Sequence, residues 1–593
     1  MRNQILTLSA SLMALTMPFN SAEATPGEDF QILVEDYEDF RDNFGGGDDE
    51  DDVSDGRYWP EETPETAARY NEAVSTLYDR LKAINPRALE GQDVASYAVM
   101  DYLLKSEVAM AAFDINRISF RNDSGFHTGP SFYAIQTRIR TVAEGEEYIA
   151  RLKDIPRYFE KQTAWLQLAM DTGWTQPRAI LDGVANQIDA QIVEDPEASG
   201  LMAPFTSMSA HINEAERERL YQEGLSAVRD DALPAFRALS EFFHHQYMPA
   251  ARETLGARAM PQGEDFYRAL VRYHTTLDDA TPESVHETGL QEVARIRAEM
   301  DEVIAASGFE GSFQDFIAFL RTDPQFYATS ERELLMHASY LAKKVDDQMP
   351  AFFGTLPRLS YGVRAVPADI APTYTTGRYW PGNYQEGRAG GYMVNTYALD
   401  QRPLYTLPAL TLHEGVPGHH HQGAIAAEID NVPDFRRQTY ITAFGEGWGL
   451  YSEFLGQDMG LYETPYEEFG RLTYEMWRAC RLVADTGIHW YGWSQDQAEA
   501  CFLENSALSP LNIRNEVSRY ISWPGQALAY KTGEIVMRRL RTQAEAELGE
   551  DFDIRAFHDA LLEDGALPMS ALETKMQRWI TDQKTQIAND NDD

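Results

Sequence analysis

Cysteine is almost absent from this 593-residue chain, which has only Cys480 and Cys501. One bridge between them is therefore the most the chain can form. An oxidising compartment would allow it, but their separation in space cannot be read from spacing alone. Long apolar runs are also lacking. The one candidate, Ile5 to Met17 after Arg2, is too short to span a bilayer and is followed by Ala22-Glu23-Ala24. That pattern predicts a secretory leader cleaved after Ala24 and a periplasmic or secreted protein. No cysteine follows the run, which argues against a lipid anchor. Basic residues are scarce, with 51 Lys and Arg against 94 Asp and Glu and a formal net charge of −43. Such a surface repels phosphate backbones, which argues against nucleic acid and anionic membranes as partners.

Strand signals are few. Gly390 to Thr396 is Gly-bounded and rich in β-formers, whereas the stretch from Ala365 to Trp380 reads as an aromatic loop. No β–α alternation and no tandem repeat appears. Helical periodicity dominates. Tyr70, Val74, Leu77, Leu81 and Ile84 share one face, and Thr281-Pro282 is a helix start with Thr as N-cap. Helices are expected over 140–171, 176–193, 213–255 and 330–348, and from Pro403 to about Thr581. Residues 25–56 carry thirteen acidic residues and one Arg, which reads as a flexible acidic segment. The expected division is a leader 1–24, this segment 25–56, a helical domain 57–350, and a second helical domain 351–593.

Chemistry concentrates in Leu412-His413-Glu414-Gly415-Val416-Pro417-Gly418-His419-His420-His421-Gln422. Two histidines and a distant glutamate form a zinc ligand set, with the glutamate beside the first histidine as general base. On a straight helix the spacing fails. His413 and His419 lie about 120° apart around the axis, and His413 and His420 about 10 Å apart along it. Pro417 removes a helical hydrogen bond and Gly418 tolerates unusual dihedrals, so an irregular turn at 415–418 is predicted. His419 is the preferred second ligand, with His420 as the alternative, and His421 reads as surface. Glu446, on a later helix, is the expected third ligand. Glu453, seven residues on, is either the group that orients a ligand histidine or a surface charge. Glu414 is the expected base.

These residues resemble the DUF885 family. The matching segments are His-Glu-x-x-Pro-Gly-His-His-x-Gln, Glu-Gly-Trp-x-x-Tyr-x-Glu from 446, and Arg481 to His489. Glu516-Val-x-Arg519-Tyr520, Pro524 to Gly533, and Tyr392-x-x-Asn395-Thr396 match as well. The family comprises bacterial proteins of unassigned function that look like zincin metallopeptidases. The resemblance implies a mainly α, zincin-like helical metallopeptidase fold. It also implies a cleft lined by a small edge strand at 390–396, which an extended peptide could pair with.

By residue type, His489, Tyr520 and Tyr530 are candidate oxyanion donors, and Asn395 and Arg519 candidate substrate-binding groups. Each also has a plain reading: core tyrosines with bonded hydroxyls, an Arg519–Glu516 pair, a helix-end histidine. The expectation is an exported Zn2+-dependent peptidase acting on peptides. The alternatives are a zinc hydrolase of a non-peptide amide or ester, and a non-catalytic zinc-containing scaffold.

Overall fold

The computed structural model describes residues 25–44, 58–60, 62–368, 371–384 and 386–592. The predicted leader and residues 45–56 of the acidic segment lie outside them. The architecture is mainly helical with one small sheet. The elements that build the site are α1 (Pro26–Phe44), α2 (Pro282–Ser307), β1 (Tyr361–Ala365), β2 (Gly377–Trp380), β3 (Gly390–Val394), α3 (Leu407–Glu414), α4 (His419–Ala427), α5 (Thr442–Leu455), α6 (Pro465–His489), α7 (Pro510–Ser522) and α8 (Ala529–Leu548). No helix among the described residues is long and apolar enough to cross a membrane.

Local signals act as physical chemistry requires. Thr281 caps α2 by accepting from Ser284 N, with Pro282 in the first turn, and Thr464 caps α6 by accepting from Glu467 N. Helices also form at Val142–Thr172, Leu181–Asp189 and Glu331–Phe352, close to the expected bounds. The acidic segment departs from expectation. Residues 26–44 are helical because Phe30, Leu33, Val34, Tyr37 and Phe40 recur at helical spacing and are buried, while the acids lie mostly outward. High acid content alone had suggested a flexible chain.

Two large apolar bodies make the interior. One joins residues between Phe120 and Phe326 to the inner face of α6 and α7, including Phe469, Met476, Ile513 and Val517. The other joins α1 and the Pro64–Ala83 and Gln92–Ala111 helices to α5, α8 and the C-terminal helices. Segments from both sides of residue 350 thus share each core. α2 lies along α6, and α5 along α8. Cys480 at the centre of α6 is bonded to Cys501 on the next helix, with Cα atoms 5.8 Å apart.

The sheet order is β1-β3-β2, with β1 parallel and β2 antiparallel to β3. This corrects two expectations. The 390–396 strand is the central one, paired on both sides, so it offers no free edge. The stretch from Ala365 to Trp380 contains β2, whose Tyr379 amide reaches Glu414. β3 is buried along its whole length, and a Cβ at residue 390 would stand 2.9 Å from the His420 and Tyr379 rings.

Between the halves, buried Asp485 of α6 accepts from Tyr267 Oη at 2.6 Å and from Gly525 N at 3.1 Å. Burial raises its carboxyl to about 7, outweighing these bonds and the charge of Arg519. The folded chain therefore holds a proton that an unfolded Asp releases near pH 4, so this residue's contribution to stability is lost as pH rises from about 4 to about 7. Asp485→Asn removes that dependence. Its melting temperature relative to the native chain should climb between pH 4 and 8 in calorimetry. A constant difference would refute the assignment.

Candidate metal centre

α3 ends at Glu414 and α4 begins at His419, so the histidine stretch is two helices with a corner between them. The corner has its own hydrogen bonds. Gly418 N donates to Leu412 O at 3.0 Å, and His420 N reaches five residues back to Gly415 O at 3.1 Å. A Cβ on residue 418 would collide with the His413 and Leu412 carbonyls, so only glycine permits this path. Trp448 of α5 fixes the corner from outside, its Nε1 donating to Pro417 O at 2.7 Å.

The corner brings His413 and His419 face to edge, ring centroids 4.7 Å apart. Glu446 of α5 completes the group. Its Oε2 lies 3.4 Å from His413 Nε2 and 3.7 Å from His419 Nε2, and one donor atom from each of the three residues falls within 4.8 Å of the others. Glu453, two turns along α5, meets His413 Nδ1 at 2.8 Å and is buried. It is the orienting group and not a surface charge. Residue 449 sits between the two glutamates on the same helical face, where a Cβ would stand 2.5 Å from the His413 ring. Glycine there is the socket for the imidazole.

The electrostatics follow. Burial alone would lower the His413 pKa, but bonds to Glu446 and Glu453 and the charge of Glu414 override it and push it up to about 10. Glu446, also desolvated, is held well below the usual carboxylate range by His413 and His419. The surroundings favour positive charge at this point. Glu414 is buried, and its Oε2 accepts from Tyr379 N of β2 at 2.7 Å, which fixes the carboxylate beside the triad.

Two neighbours went unread in the sequence. The Tyr440 hydroxyl lies 3.4 Å from Glu446 Oε1 although the residue is 59% exposed. Desolvation of that hydroxyl, then the charge of Glu446, keeps it protonated well above the ordinary tyrosine range, and Tyr530 and Glu414 act on it too. Tyr440 precedes α5 and belongs to no periodic pattern. The amide of Tyr379 is a backbone group, which side-chain motifs cannot reveal.

Several candidates have protein partners outside the triad. His420 is buried against the sheet, with Nε2 at Leu359 O (3.0 Å) and Nδ1 at Tyr379 Oη (3.2 Å). His421, expected at the surface, is fully buried against Phe353, because α4 packs on that side as well. His489 spends both nitrogens on backbone, accepting from Ala257 N and meeting Tyr520 O, so it is a core histidine and not an oxyanion donor. The Tyr520 hydroxyl is likewise committed, to Arg481, Trp477 and Glu516. Asn395 braces the preceding loop, donating to the carbonyls of Ala371, Tyr374 and Thr375, and has no amide hydrogen left for a substrate. Arg519 pairs with Glu516 and Gln526. Tyr530 lies under the Arg481 guanidinium, 4.3 Å from ring centroid to the cation.

Three side chains that could hold a metal ion thus meet at a broken helix of a mainly helical chain. The chain belongs to DUF885, described as "Bacterial protein of unknown function", whose family profile matches residues 46–576. A crystal structure described as that of the putative lipoprotein from Colwellia psychrerythraea is similar over 95% of this chain and 100% of that one, at 25% identity and a TM-score of 0.85. A second, described as a putative lipoprotein of unknown function from Shewanella oneidensis, shares the fold. It covers 93% of this chain and 100% of its own, at 17% identity and a TM-score of 0.70. No curated protein matches.

Removing the orienting carboxylate should loosen cation binding without unfolding the chain. Glu453→Ala is expected to weaken a divalent cation about 10–100-fold in competition with a chromophoric chelator. His420→Asn should leave that affinity unchanged. The reverse pattern would reassign the ligands.

Proposed function

We propose that this chain is an exported zinc-dependent peptidase acting on peptides or oligopeptides. The observation that carries this reading is the convergence of His413, His419 and Glu446 with Glu414 adjoining. Donor atoms on three corners of a zinc tetrahedron are separated by about 3.3–3.6 Å, given metal–ligand distances of roughly 2.0–2.2 Å. The measured 3.4 and 3.7 Å between imidazole and carboxylate atoms fit that geometry. Glu453 on His413 Nδ1 leaves Nε2 as the ligating atom. Zinc, when bound there, supplies Lewis acidity and an activated water.

The chain's own groups have separate tasks. Glu414 keeps Oε2 on the Tyr379 amide, so Oε1 is the oxygen that takes a proton from the attacking water and returns it to the leaving amine. The protonated Tyr440 hydroxyl is placed to donate to the oxyanion that develops on the attacked carbonyl. Tyr379 N is spent on Glu414, so β2 does not offer its whole edge to a peptide. Among the described residues, three side chains form the candidate metal group. A hydrolytic centre keeps a fourth position open, whereas a structural one closes it with a fourth protein ligand.

Glu414→Gln should retain one zinc per chain and lose turnover by about 10²–10⁴-fold, while His413→Ala should lose the metal itself. Tyr440→Phe should lower kcat about 10²-fold with zinc retained. Cleavage of a peptide library, followed by mass spectrometry, reads turnover, and metal analysis of the purified chains reads zinc. Full turnover in the Glu414 variant would remove this reading.

A further inference from the structure

Arginines gather beside the triad in a chain whose net charge is −43. Arg478 and Arg481 lie one turn apart on α6, and Arg519 joins them from α7. Their counter-charges are insufficient. Glu516 Oε2 serves both Arg481 Nη2 at 3.3 Å and Arg519 Nη2 at 3.2 Å, and it also accepts from Tyr520 Oη at 2.9 Å. Arg478 Nη2 reaches only Glu453 Oε1, at 3.8 Å, and that oxygen already holds His413 Nδ1. Three cations therefore share two carboxylates, one of which is committed to an imidazole.

Each guanidinium donates elsewhere, Arg478 to Tyr474 O, Arg481 to Tyr520 Oη and Arg519 to Gln526 Oε1, yet one nitrogen of each lacks a partner. Arg478 Nε, Arg481 Nη1 and Arg519 Nε are buried without a hydrogen-bond partner. The side chains of Arg478 and Arg481 are only 10% and 5% exposed. Burying an unmet N–H of a charged group is costly, and an acceptor brought by a ligand removes that cost. Aromatic rings hold the forks in place. Arg478 and Arg481 lie over Trp477 at 4.8 and 4.6 Å, and Arg481 over Tyr530 at 4.3 Å. The cluster thus adjoins the metal group through Glu453, which Arg478 and His413 share.

We propose that Arg478, Arg481 and Arg519 form a subsite for a substrate carboxylate, so that the substrates are short peptides carrying a free carboxylate close to the bond that is cut. This rests on the hydrolytic reading of the triad and adds the substrate class. Planar guanidinium forks match a carboxylate in charge and geometry. The carboxylate can come from the peptide's C-terminus or from an acidic side chain.

Binding tests this without turnover. The zinc-loaded Glu414→Gln chain is titrated calorimetrically with three N-acetylated tetrapeptides: a free acid, its C-terminal amide, and an amide ending in Glu. A carboxylate-bearing peptide should bind about 10-fold tighter than the neutral amide. Tighter binding of the free acid assigns the carboxylate to the terminus, and tighter binding of the Glu amide assigns it to a side chain. Adding Arg481→Gln or Arg519→Gln should close the gap. If the Arg481 variant fails to fold, the Arg519 variant, at a side chain 21% exposed, decides. Equal affinity for all three peptides, no binding by any, or a gap that survives these substitutions would overturn the proposal. Discriminating binding with no cleavage by the zinc-loaded native chain would sink the peptidase reading and leave the carboxylate subsite standing.

Discussion

The His413 imidazole can meet two carboxylates at once because residue 449 has no side chain. Glu446, Gly449 and Glu453 occupy one face of α5, and the ring sits in the gap between the acids. A glycine inside a helix costs about 1 kcal/mol relative to alanine. Here that cost secures a ring position that any larger residue would deny. Trp448, the next residue back, holds the Pro417 carbonyl, so α5 fixes both the histidine and the corner that follows it. His419 then depends on the same helix as His413, although the two lie on different short helices.

A second constraint comes from charge buried away from the triad. Lys531 of α8 is fully buried among Glu292, Glu475 and Glu534, and Glu475 also receives Arg295, Arg471 and Arg538. Such a network ties α2, α6 and α8 at one point. Removing one partner leaves an uncompensated buried charge and costs about 3–5 kcal/mol, whereas the intact network adds little net stability. Its consequence is positional: α6 is held against α8, and α6 carries Arg478 and Arg481.

Much of this was legible in the residues. Thr281-Pro282 marked a helix start because capping is local, and Pro417-Gly418 marked a break because the missing hydrogen bond is local too. The six-residue histidine spacing forced the expectation of a turn, and Glu446 and Glu453 shared a face by arithmetic. What depended on the other side of a contact was not legible. His421 and His489 are polar by type, and only their packing shows them to be core. Asn395 sat in a motif, yet its amide braces a loop. The strand at 390–396 was visible, but its neighbours, one parallel and one antiparallel, were not. Tyr440 had no pattern at all. Composition misled at residues 26–44, where acidity concealed an apolar face.

The broken helix has a consequence for how the centre comes into being. α3 and α4 are eight and nine residues long, too short to be stable alone in water. A single continuous helix could hold two ligands in register as an isolated segment. These two cannot, since their relative angle is set by Trp448 and Gly449 of a third helix. The excised stretch 407–427 therefore carries the right side chains but no site. Assembly of the donors is an event of tertiary folding, and the three side chains converge only when α5 has docked.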